Sequence, residues 1–137
     1  MGFLKGFLIA LVGSVAVNLV LLLVARPLVI DPAMPLNALS IGPVLSFTIA
    51  GVIGATAVYA IMRATMRDPD RVFLWTASVV LLLSFIPDIL IIGQTTGMFA
   101  GGNLPSAILL MSMHVATAGT VVLCLTRLWG RRQTVAM

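Results

Sequence analysis

The chain has 137 residues, of which 61% are hydrophobic and 9% charged, against roughly a quarter charged in an ordinary soluble domain. A water-soluble fold of this size has too little interior to hide so much apolar surface. The net charge of +4 comes from basic residues parcelled out at segment ends, with no patch interleaved with aromatics, which fixes orientation in a bilayer and argues against nucleic acid as a partner.

The first apolar segment covers residues 3–25. Its uninterrupted run from Gly6 to Ala25 is too long for a secretory signal and lacks a small-x-small cleavage site, so it is expected to remain as an anchor. Gly6 also occupies the position where a myristoylation motif needs Ser or Thr. Arg26-Pro27 and Asp31-Pro32 are expected to break the helix, followed by a connection over residues 31–39. The second helix, 40–62, opens on Ser40 as N-cap, tolerates Pro43 in its first turn and ends before Arg63 and Arg67.

Asp68-Pro69-Asp70 gives the sharpest start signal in the chain: an acid able to cap free N–H groups, a proline at the first helical position and a second acid in the first turn. The third helix then runs over 69–92. An uncharged, Gly-rich connection leads to Asn103, which is placed to cap a fourth helix over 104–127 with Pro105 in its first turn. Trp129, Arg131 and Arg132 read as an interfacial anchor. Four segments of about 20 residues, each long enough to span a bilayer, joined by short connections, predict a single domain over 1–137. The fold class is all-α, a four-transmembrane-helix antiparallel up-down bundle.

Lys5, Arg63, Arg67, Arg71, Arg127, Arg131 and Arg132 fall at the end shared by both termini and the middle connection, and only Arg26 at the other. Such a bias predicts cytoplasmic N- and C-termini. Because lipid tails solvate Leu as well as another helix does, association has to rest on small residues and polar partners. Residues at helical spacing offer one stripe per helix. These are Gly6, Ala10, Ser14 and Asn18 on the first, Ser46, Ala50, Gly54 and Ala57 on the second, Ala77, Leu81, Ser84 and Asp88 on the third, and Ala107, Met111, His114 and Ala118 on the fourth.

Asp88 and His114 are ionisable residues inside apolar segments, and a carboxylate at the bilayer centre costs about 2.5 to 3.5 kcal/mol on insertion scales. By the helical rise, Asp88 lies roughly 6 to 8 Å from the outer end of its helix, His114 about 15 Å, and Asn18 and Ser84 roughly 10 to 14 Å. All four fall in the outer half of the bilayer. Pro87 frees a backbone carbonyl beside Asp88 and favours a bend there. The functional reading is a ligand or proton site in which Asp88 and His114 hold a polar group and Asn18 and Ser84 orient them. The plainer alternative is polar glue between helices.

The remaining chemistry is sparse. The chain has no Glu and four Asp, of which Asp68 and Asp70 are explained as caps and Asp31 lies in a connection. Cys124 is the single cysteine and reads as a small hydrophobe, so a disulfide and a paired-thiol zinc site are excluded. Haem is disfavoured: Met111 is expected on the same face as His114, so it cannot bind the iron from the opposite side, and there is no second His. No metal site and no cofactor are expected. Enzymatic chemistry on a lipid or quinone would have one acid and one base to work with.

Ser84-Phe85-Ile86-Pro87-Asp88 in the third helix, with Met113-His114 followed by small residues in the fourth, resembles a family of small bacterial four-helix integral membrane proteins of unknown function. The likeness implies a bacterial plasma-membrane location and the same four spans over nearly the whole chain, and it supplies no activity. The function expected first is that of a non-catalytic membrane protein in contact with the lipid bilayer, either a homo-oligomer or an accessory subunit of a larger membrane complex. The alternative is a small-molecule or proton binding or transport module built on Asp88 and His114.

Overall fold

A computed structural model describes residues 2–33 and 35–129. It is all-helical. The helices are α1 (Gly2–Val29), α2 (Ile41–Thr65), α3 (Pro69–Leu90) and α4 (Leu104–Cys124), with a π turn, Leu125–Trp129, continuing α4. Each is long and apolar enough to cross a membrane. Arg131 and Arg132, assigned to an interfacial anchor, lie outside the described residues.

α1 continues through Pro27 to Val29, where a break was expected. A proline in the last turn forfeits one hydrogen bond in a region where the helix ends anyway, and the Ile30 N–H still reaches the Arg26 carbonyl at 3.0 Å. The caps divide. Asn103 accepts from the Ser106 N–H at 2.8 Å while the Asn103 N–H donates to Ser106 Oγ at 2.9 Å, a reciprocal capping box. Ser40 and Asp68 make no side-chain cap. The Ser40 hydroxyl turns back to the Asn37 carbonyl, 2.7 Å away, and Asp70 accepts from the Tyr59 hydroxyl.

α1 is the packing centre. Gly6, Ala10, Ser14, Asn18 and Leu22 are buried at every fourth position, the stripe expected from spacing. They admit α4 closely: a Cβ built on Gly6 would stand 3.5 Å from the Cys124 carbonyl oxygen. Gly2 and Gly6 lie against Trp129, and the Asn103 amide donates to the Val29 carbonyl at 3.0 Å, so the start of α1 meets the end of α4 and the end of α1 meets its start. Elsewhere the helices show Leu, Val, Ile and Phe to the outside, the surface that hydrocarbon requires.

α2 turns a different face inward from the one its small residues suggested. Val44, Thr48, Val52, Thr56, Tyr59 and Met62 are buried, while Ser46, Ala50, Gly54 and Ala57 are exposed. The polar groups on the buried face explain the choice, since Thr48 has a partner on α1 and Tyr59 one on α3. On α4, Met111 lines a shallow groove with Val17 and Leu21 of α1 and does not share the surroundings of His114, contrary to the expectation from spacing.

The two ends of the bundle are closed differently. At one, Tyr59, Phe73, Phe3 and Trp129 form an aromatic cluster, and the Arg63 guanidinium lies 5.1 Å from the Trp129 ring centroid and 5.9 Å from that of Tyr59, within cation–π range. At the other, Leu36, Ala38 and Leu39 of the first connection pack with Leu22, Val44, Ile91 and Ala107. In the last connection, the Gly93 N–H donates to the Gly102 carbonyl at 2.9 Å. Gly102 presses so closely on α3 that a Cβ there would fall 2.1 Å from the Ile91 carbonyl oxygen.

Candidate functional site

α3 buries only Phe73 and Asp88 fully; it packs along α4 and much less against α2. A cavity of about 590 Å³ opens between α3 and α2, with α4 as its third wall. Thr76, Ala77, Val80, Leu81 and Ser84 of α3 face it, as do Thr48, Gly51, Gly54, Ala55 and Val58 of α2 and Leu110, His114, Thr117, Ala118 and Val121 of α4. Asn18 reaches it from α1, and Ala38, Ile91 and Phe99 cover the end beside Asp88. The walls are apolar apart from a few hydroxyls, Asn18, and the Asp88–His114 pair.

His114 Nδ1 lies 2.8 Å from Asp88 Oδ2. With its proton on Nδ1, the imidazole donates to the carboxylate, and Nε2 has no hydrogen-bond partner among the described residues. The Asp88 side chain is 6% exposed and the His114 side chain 41%, so the acid is buried and the imidazole remains accessible. Helical geometry accounts for the meeting although counting put the two residues at different depths. Side chains tilt toward the N-terminus of their own helix. Beyond the contact between Ile91 and Gly102 the chain doubles back, so Asp88 tilts away from that end while His114 tilts toward it, and the two converge.

Asn18 and Ser84 share the cavity with the pair and do not bond to it. Asn18 Nδ2 donates to Thr48 Oγ1 at 2.8 Å and to Thr117 Oγ1 at 2.9 Å, joining α1, α2 and α4. Ser84 donates to the Leu81 carbonyl of its own helix at 2.6 Å. The orienting role expected of these two is therefore replaced by interhelical bonding for Asn18 and by local satisfaction for Ser84. Asn18 Oδ1 and Ser14 Oγ are buried without a hydrogen-bond partner among the described residues. Thr48 and Thr117 were not anticipated. Thr117 was legible three residues beyond His114, whereas Thr48 is identified only once the inward face of α2 is known. Among the described residues no three His, Cys, Asp or Glu side chains gather as metal ligands.

Fold and site together define a small all-helical protein of four membrane-length apolar helices with a largely apolar cavity open between two of them. The chain belongs to a family of unknown function, DUF6069, whose model matches residues 3–131. No curated protein matches the chain, and no solved structure does.

Proposed function

We propose that this protein is a membrane-embedded binding module that holds a small lipophilic molecule between α2, α3 and α4, with the Asp88–His114 pair as its polar contact. What carries the reading is the cavity of about 590 Å³ beside the pair, within the range of small-molecule sites. Interhelical glue requires the two side chains to meet and does not require α3 to stand away from α2. The excess of basic side chains at the end of the bundle that holds Lys5, Arg63 and Arg127 supports an orientation with that end in the cytoplasm, which sets Asp88 in the outer half of the bilayer.

A second reading, a homo-oligomer, is favoured by the outward Ser46, Ala50 and Ala57, because a stripe of small residues lets helices approach in lipid. Native mass spectrometry of the full chain released from nanodiscs tests both. A retained small-molecule adduct that disappears in Gly51→Leu is the expected result for the binding module; no adduct on the unaltered chain counts against it. The same spectra count chains, and a monomer alone counts against the oligomer.

A further inference from the structure

The cavity selects its occupant by shape and by charge, and both point to one chemical class. From Phe73 to Asp88 it follows α3 for roughly 22 Å by the helical rise, so about 590 Å³ is spread along a slot that is long and narrow. Such a space suits one extended hydrocarbon chain better than a compact molecule. Its opening is sideways: Phe47, Gly51, Gly54 and Val58 on α2 and Val80 on α3 line it and are exposed, while Ala38, Ile91 and Phe99 cover the Asp88 end. Access therefore runs between α2 and α3, through the surface that would face lipid.

Apolar walls cannot by themselves draw a chain out of a bilayer, because the surrounding lipid is equally apolar. Selection has to come from the polar end. Among the described residues no Lys or Arg lines the cavity, and the ionisable pair at its polar end presents the Asp88 carboxylate and His114 Nε2, an accessible acceptor when Nδ1 holds the proton. Resting on the binding-module reading above, we infer that the ligand is a single-chain amphiphile whose head group donates hydrogen bonds, an ammonium or a hydroxyl, and that it enters sideways between α2 and α3. With the proton on Nδ1 the pair carries the negative charge of the Asp88 carboxylate, so an anionic head group is repelled.

The test is equilibrium binding of tritiated hexadecylamine, hexadecanol and palmitate to the full chain in nanodiscs, with empty nanodiscs as background. The expected result is saturable binding of the amine or the alcohol at least tenfold tighter than that of palmitate; which of the two binds more tightly distinguishes an ammonium from a hydroxyl head. Palmitate binding as tightly as both overturns the inference, and this comparison on the unaltered chain needs no variant to fold. Gly51→Leu, whose new side chain meets no protein atom within 4 Å of its Cβ, separates the two levels. Three probes that bind alike and are all lost in Gly51→Leu leave the cavity reading standing and remove the head-group assignment. Binding of all three unchanged in Gly51→Leu overturns both.

Discussion

Asp88 is costly to insert in an apolar helix, and its 2.8 Å contact with His114 is what offsets that cost. The asymmetry of the pair leads to an unequal response to mutation. Removing the imidazole strands a buried carboxylate, whereas replacing the carboxylate with an apolar group leaves an accessible histidine behind. His114→Ala is expected to destabilise the protein by about 1 to 2 kcal/mol, the upper range for interhelical bonds in lipid, and Asp88→Leu by distinctly less. Adding Asp88→Leu to His114→Ala should recover most of the loss, as measured by unfolding in mixed micelles. A neutral His114→Ala would refute this account of the pair. Both residues were legible in the sequence because each interrupts an apolar segment. Their contact was legible only as a shared place in the outer half of the span, since the tilts that close the distance depend on how α3 and α4 pass one another.

The elements show where spacing informs and where it fails. On α1, small and polar residues share one face, so periodicity identifies the packing surface. On α2, small residues line one face and Thr48, Thr56 and Tyr59 another, and in lipid neither face is favoured by hydrophobicity. The inward face is then set by partners on other helices, Asn18 for Thr48 and Asp70 for Tyr59. The same dependence explains Asp70, whose sequence position says cap and whose tertiary neighbour is a phenol. The last connection makes a sharper demand. With no room for a Cβ between Gly102 and the Ile91 carbonyl, Gly102→Ala must displace backbone and is expected to cost about 1 to 3 kcal/mol, the usual range for overpacking. Thermal unfolding of the purified variant checks this, and an unchanged midpoint would show that the connection yields freely.

At the scale of the whole molecule, the helix ends carry the proposed orientation and the gap beside α3 the proposed function. Among the described residues Lys5, Arg63, Arg67, Arg71 and Arg127 stand at one end and Arg26 at the other, so the connection containing Gln94 is proposed to face outward. In a Cys124→Ala background, Gln94→Cys should react with a membrane-impermeant maleimide in intact cells and Met66→Cys only after permeabilisation. The reverse pattern would invert the orientation, and reaction of both in intact cells would deny the four spans. Composition, segment length and the scarcity of charge determined the four apolar helices, because the demand to satisfy every backbone group within hydrocarbon leaves few alternatives to a helix. The inward face of α2, the Asn18 bonds to Thr48 and Thr117, and the cavity between α2 and α3 were decided by tertiary structure alone. A helix such as α2, with small residues on one face and polar ones on another, holds no local signal for which side will meet a neighbour, and none for where it will stay apart.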